Sequence, residues 1–202
     1  MPLRDHFRPP LGDLRHWEGF HATWPVMIVA LLRNKLPRRY FAEPKVHSGS
    51  SAEIDAYEAM IYDEKSHCGL VAAVEIVSPT NKDRPEHRRA FVSKCAGLLR
   101  ERVSVVLVNT VTTCTQNLYA ELLEVLGKSE VGLSPAPPLL YAAACRMRSR
   151  AADWVLETWV QSLTLGQPLP TMPLWLDDNL AVPLELEESY EQSCNILNIP
   201  GA

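Results

Sequence analysis

The sequence predicts an α/β fold in a single domain, with a mixed central β-sheet flanked by helices. Two apolar runs, 70–77 and 103–111, are typical of strands that are buried on both faces. The segment between them, from about Pro85 to about Arg102, has the length of a crossover helix, and proline suits its first turn. Strand, helix and strand in this order predict a βαβ unit with a right-handed crossover.

The N-terminal half supplies the other elements before this unit. Residues 1–13 are rich in Pro and Arg and predict an extended arm, so that the domain itself comprises residues 14–202. From Leu14, apolar residues recur every three or four positions, which predicts one helix ending at Leu36-Pro37. Short apolar and alternating segments then predict two strands, at 40–46 and 52–62.

The C-terminal half is less uniform. An amphipathic segment, 118–126, predicts a short helix that ends at Gly127, and 139–147 predicts a strand. Residues 153–163 fit a strand or a helix, and the pattern leaves both open. The remaining segments predict an extended stretch and a closing helix, at 168–176 and 183–197.

Composition excludes several classes of protein. Of the 202 residues 47% are hydrophobic, which is enough for a sizeable core and excludes wholesale disorder. The net charge of -4 lacks the basic excess common in nucleic-acid-binding domains. No stretch has the length of a membrane span, and the N-terminus lacks the apolar run of a signal peptide, so we expect a cytoplasmic protein. Five widely spaced cysteines predict buried thiols.

One charge within the first buried strand raises the question of function. Glu75 follows five apolar residues and precedes Ile76 and Val77. A buried carboxylate needs a partner or a cation, and Asp55 on the preceding predicted strand offers a second carboxylate. If the two strands are antiparallel neighbours, both acids can meet at one end and form, with a backbone carbonyl, an oxygen-rich Mg²⁺ site.

Basic residues follow this strand. Lys94 lies beside the apolar face of the predicted helix and can reach back over the sheet towards Glu75. Residues 82–94 hold five Lys/Arg and two acids, a local net charge of +3 that would attract a phosphate backbone. The predicted nucleic-acid contacts are Lys82, Arg84, Arg88 and Arg89.

Each of these residues also has a structural interpretation. Asp55 fits a solvent-facing strand position, and Glu75 fits a structural salt bridge with Lys94. Basic residues on a helix often form only its solvated face.

Several motifs resemble a known family. They include VEIVSPTNK at 74–82, RRAFVSKCAGLL at 88–99, a W-x-x-F-H stretch from Trp17 and LPTMPL at 169–174. Together they resemble a bacterial family of uncharacterised proteins, domain of unknown function 4058, over about residues 14–190. That family is distantly similar to the PD-(D/E)XK nuclease-like group and to the Uma family of restriction-endonuclease-like proteins.

The resemblance implies a restriction-endonuclease-like core and a Mg²⁺-dependent endonuclease or phosphodiesterase, a hydrolase. It assigns the metal to Asp55, Glu75 and the Ile76 carbonyl. Val77 occupies the lysine position of the acid-x-Lys motif, and Lys94 would replace that lysine, positioning water or steadying a phosphate. Asn109, where relatives often carry an acid, is a second departure. The absence of the usual I-D-Y motif from residues 195–199 is a third.

These departures support an alternative, a non-catalytic nuclease-like scaffold that acts as a binding or assembly module. A small-molecule pocket at the same sheet edge is a third hypothesis. The sequence leaves open the substrate, the pathway and the oligomeric state, a homodimer included.

Overall fold

A six-stranded mixed sheet forms the centre of the computed structural model, which describes residues 2–47, 56–128, 138–150 and 153–200. The strands lie side by side in chain order, with β3 and β4 parallel and every other neighbouring pair antiparallel. Their bounds are β1 Tyr40–His47, β2 Ala56–Asp63, β3 Gly69–Ile76, β4 Ser104–Asn109, β5 Tyr141–Arg150 and β6 Asp153–Ser162.

Helices and a small hairpin cover the sheet. The helices are α1 Leu11–Leu14, α2 Trp17–Leu32, α3 Thr80–Asp83, α4 Pro85–Arg100, α5 Leu118–Val125 and α6 Leu186–Ile196. The hairpin pairs β7 Thr171–Trp175 with β8 Ala181–Glu185. Within the described ranges, no helix combines the length and the hydropathy needed to cross a bilayer.

Two apolar clusters share the sheet, one on each face. Residues 72, 74 and 76 of β3 pack in the cluster that includes α2, α6 and the β7–β8 hairpin. On the other face, residues 105 and 107 of β4 pack against α4 and α5. Alternate residues of a strand point to opposite faces, so β3 and β4 are covered on both sides, as their apolar composition predicts.

The predicted α/β class, with a mixed sheet flanked by helices, is confirmed, and so is the βαβ unit formed by β3, α4 and β4. Of residues 153–163, which the sequence left open, Asp153–Ser162 form β6 and pair with β5 over ten residues. The segment that joins β3 to α4 contains the short helix α3.

The predicted C-terminal helix was wrong in its first part. Residues 181–185 form β8, because Val182 and Leu184 point into the core while Pro183 is exposed, an alternation that suits a strand. Helix α6 begins only at Leu186.

The N-terminal arm lies against the domain. Residues 2–10 form neither helix nor strand, but Leu3 is buried, and its backbone exchanges hydrogen bonds with Gly166 and Gln167. His6 is buried beside the Phe20 ring, at a centroid distance of 4.3 Å, and its Nε2 lies 2.7 Å from the Tyr190 hydroxyl. Burial, assisted by the charge of Arg4, lowers the pKa of His6 to about 4.

The buried His6 should make stability depend on pH. Its pKa is 6.5 in the unfolded chain and about 4 in the folded chain, so between these values the unfolded state holds the extra proton. As pH falls from about 6.5 to about 4, the free energy of unfolding of the wild type should therefore fall relative to that of His6→Gln. The slope of the difference should reach about 1.4 kcal/mol per pH unit. Urea unfolding at several pH values in this range measures the free energy of unfolding of both proteins. If it depends on pH in the same way for the wild type and for His6→Gln, the lowered pKa of His6 is contradicted.

Candidate functional site

Two glutamates on neighbouring strands form the core of the candidate site. Glu58 of β2 and Glu75 of β3 are direct partners in the antiparallel register. Residues directly opposite each other point to the same face, which here is the face covered by α4. The two side chains are only 2% and 3% exposed. Two adjacent carboxylates in such a position repel each other and need a counter-charge.

Lys94 supplies that charge from α4. Its ammonium nitrogen donates to Glu58 Oε1 at 2.6 Å and to Glu75 Oε2 at 2.7 Å. The lysine stands beside Cys95 on the face that α4 packs onto the sheet, and its side chain remains 34% exposed. One flexible cation thus holds two buried carboxylates and is also the part of the cluster that reaches solvent.

The carboxyl group of Glu75 is protonated unusually easily. Burial raises its pKa to about 7, the Lys94 charge opposes this rise, and the Glu58 charge adds to it. Lys94 shows the converse effect, because the charges of Glu75 and Glu58 outweigh its burial and raise the pKa of its ammonium group. Glu75 is therefore the group of this site that changes charge near neutral pH, while Lys94 stays positive.

One oxygen of Glu75 has no partner. Glu75 Oε1 is shielded from solvent and accepts no hydrogen bond within the described part of the chain. Buried carboxylate oxygens are normally hydrogen-bonded, and an orphan needs a specific explanation, such as a proton, a water molecule or a cation. No donor in the described part of the chain supplies such an explanation for Glu75 Oε1.

The register, and not the sequence, identifies Glu58. A bulge between Ile61 and Tyr62 adds one residue to β3 relative to β2. Without that bulge the pairing would shift by one residue, and Glu75 would face Tyr57. The predicted first acid, Asp55, lies outside the described residues. Glu58 was missed because an irregularity in pairing leaves little signal in the sequence.

The predicted Ile76 ligand is a backbone carbonyl that already has a partner. Its oxygen lies 2.8 Å from His21 Nε2. A carbonyl only accepts hydrogen bonds, so Nε2 carries the hydrogen and the His21 ring is in the Nε2–H tautomer.

Two of the three departures from the nuclease-like motif, Val77 and Asn109, have structural roles. Val77 is fully buried in the apolar cluster beneath α4, where a lysine would lack a polar partner. The Asn109 side chain, also buried, donates to the Leu139 carbonyl at 2.8 Å and accepts from the Val111 amide at 3.2 Å.

The predicted basic patch is divided by the fold. Lys82 is buried and donates to the Cys114 carbonyl at 2.8 Å, and burial lowers the pKa of its ammonium group to about 8. Arg88 pairs with Glu121, with Nε 3.0 Å from Oε1. Arg84 and Arg89 remain exposed. Of the four predicted nucleic-acid contacts, only these two arginines have exposed side chains.

No family model, no curated protein and no solved structure matches the chain. Within the described ranges, no group of three or more His, Cys, Asp and Glu side chains is arranged to hold a metal ion.

Removal of Lys94 should destabilise the fold. Lys94→Met leaves two buried carboxylates side by side, and we expect a loss of about 3 kcal/mol at pH 8, the lower end for a broken buried ion pair because the ammonium is partly solvated. At pH 5 the loss should be smaller, since Glu75 is then protonated. Chemical unfolding measures both values. The matched control is Arg89→Met on the exposed face of the same helix, and an equal effect of the two substitutions would contradict the role of Lys94.

The raised pKa of Glu75 should also make the free energy of unfolding depend on pH. Its pKa is 4.5 in the unfolded chain and about 7 in the folded chain, so between these values the folded state holds the extra proton. The contribution of protonated Glu75 is complete at acid pH and is lost as pH rises through 7. The wild type should therefore lose stability relative to Glu75→Gln between about pH 4.5 and 7, by up to about 1.4 kcal/mol per pH unit. A constant difference across this range would refute the raised pKa.

Proposed function

We propose that the chain is a Mg²⁺-dependent phosphodiesterase of the nuclease-like kind, with Glu58, Glu75 and Lys94 as its site. Glu58 takes the place that the sequence assigned to Asp55, because Glu58 is the direct partner of Glu75 in the sheet. The mixed sheet flanked by helices agrees with the core that the family resemblance implies, and this agreement supports the proposal.

The observation that carries the proposal is the unpartnered oxygen of Glu75. Two carboxylates that face one point and one carboxylate oxygen without a donor make an incomplete set of hard oxygen ligands. Magnesium is commonly held by one or two carboxylates and completes its octahedron with water and substrate phosphate. Two glutamates are thus sufficient as protein ligands, and the donor chemistry fits the ion.

Lys94 holds the position between the carboxylates in the structure, so cation binding requires its ammonium group to move. The side chain is long and one-third exposed, and it can swing towards solvent without unpacking α4. After that movement the ammonium group lies at the mouth of the site. There it can donate to a phosphate oxygen and stabilise the negative charge that develops during hydrolysis.

Glu58 and Glu75 would hold the ion through their carboxylate oxygens, and above its pKa of about 7 Glu75 is ionised and able to serve as a ligand. A bound Mg²⁺ would polarise the phosphodiester and acidify a coordinated water molecule. Exposed Arg84 and Arg89 on and near the start of α4 provide positive charge for a nucleic acid backbone, the proposed substrate.

A nuclease assay tests the proposal directly. Plasmid, single-stranded DNA and RNA are incubated with Mg²⁺ or Mn²⁺ and the wild type, Glu75→Gln or Glu86→Gln. Loss of the Glu75 carboxylate should reduce cleavage at least a hundredfold, because it removes one of the two carboxylates that would hold the ion. The exposed Glu86 on α4 is the matched control and should have wild-type activity. Equal traces for wild type and Glu75→Gln would exclude catalysis at this site.

The alternative is a non-catalytic scaffold that serves as a binding or assembly module. Its support is the closure of the site, since Lys94 neutralises two carboxylates that are almost entirely buried. Calorimetric titration with Mn²⁺ distinguishes the two functions. A phosphodiesterase should bind the ion in a manner that Glu75→Gln abolishes, whereas a scaffold should give the same heats for both proteins.

A further inference from the structure

A cleft of about 620 Å³ lies on the face of the sheet opposite Glu75. It opens at the end of β3, between the N-terminal arm, the start of α2 and the turn at Ser78. Tyr57, the neighbour of Glu58 on β2, lines it. The cleft and the glutamate site therefore lie at the same end of the sheet but on different faces, and no residue of the Glu58–Glu75–Lys94 cluster lines the cleft.

The walls of the cleft are aromatic. The Trp17 ring is stacked on His21, with centroids 5.3 Å apart and an interplanar angle of 19°. Phe7 packs against Trp17 at 4.6 Å, and Tyr57 meets His21 edge-on at 5.1 Å. His21 donates through Nε2 to the Ile76 carbonyl, and burial lowers the pKa of His6 to about 4. Flat aromatic walls of this kind suit a flat aromatic ligand.

One end of the cleft presents hydrogen-bond donors. Helix α2 has 16 residues, and its N-cap residue, His16, makes no side-chain capping bond to the first turn. Exposed backbone N–H groups at a helix N-terminus attract anions. Trp17, which is 8% exposed and lines the cleft, carries a buried indole N–H without an acceptor in the described part of the chain. Arg15 adds a positive charge at the rim, where its guanidinium group also donates to the Leu14 and Asn198 carbonyls at 2.8 and 3.1 Å.

We propose that this cleft binds a mononucleotide, with the base against the aromatic walls and the phosphate at the start of α2. The volume is in the range of sites for ligands of this size. Arg15 and the helix N-terminus complement the phosphate. Glu18 on the rim is an acceptor for the N–H donors of a base, so the charges at the rim match both parts of the ligand. The proposal is independent of phosphodiesterase activity, because it uses other residues on another face.

The test is calorimetric titration of the full chain with the four ribonucleoside monophosphates, the matching nucleosides and inorganic phosphate. At least one monophosphate should bind more tightly than its nucleoside, and phosphate alone should bind at least tenfold more weakly. Arg15→Gln should weaken nucleotide binding at least tenfold and remove the advantage over the nucleoside. Tyr57→Ala should weaken nucleotide and nucleoside alike, since it removes a stacking surface.

Two controls keep the result specific. Arg33→Gln removes an exposed arginine at the other end of α2 and should bind like the wild type. Glu75→Gln should also bind like the wild type, which separates this cleft from the proposed hydrolytic site. The proposal is overturned if no monophosphate binds with a dissociation constant below about 1 mM. Unchanged affinity in both Arg15→Gln and Tyr57→Ala would overturn it as well.

Discussion

The contact of one ammonium group with two buried carboxylates is the interaction on which the rest of the site depends. Glu58 and Glu75 are direct partners on neighbouring strands, and their repulsion in a medium of low dielectric would oppose the pairing of β2 with β3. Lys94 offsets this repulsion and, because it stands on α4, also fixes that helix over the end of the sheet. Glu75 Oε1 has no donor in the described part of the chain, and burial, which the Lys94 charge only partly opposes, raises the pKa of Glu75 to about 7.

At this end of the sheet, the two faces differ in chemical character. On the α4 face, Glu58, Glu75 and Lys94 form a buried ion cluster. On the α2 face, Tyr57 of β2 lines a cleft with aromatic walls, because it is adjacent to Glu58 in sequence and therefore points to the opposite side of the sheet. The β-strand period of two residues thus places an ionic site and an aromatic cleft within one residue of each other along β2.

The sequence was most informative where a single pattern decides the structure. Two wholly apolar segments and the helix between them predicted the βαβ unit, and the helical spacing beside Phe91 and Cys95 predicted that Lys94 reaches the sheet. The partner of Glu75 was not predictable, because a bulge at Ile61/Tyr62 shifts the register by one residue and brings Glu58 opposite it. Tertiary pairing likewise decided the secondary structure of residues 153–163 and 181–185. Strands β6 and β8 form because they pair with β5 and β7, and a local sequence pattern carries no information about such partners.

Anomalous diffraction from crystals soaked in Mn²⁺ tests the central claim most directly, because it locates the ion and the lysine in one experiment. The account predicts a Mn²⁺ peak at bonding distance, about 2.1 Å, from oxygens of both Glu58 and Glu75, with the Lys94 ammonium group displaced towards solvent. The contradictory result is a map in which Lys94 still contacts both carboxylates and no anomalous peak lies beside Glu75. In that case the three side chains form a structural ion cluster, and the hydrolytic function is wrong.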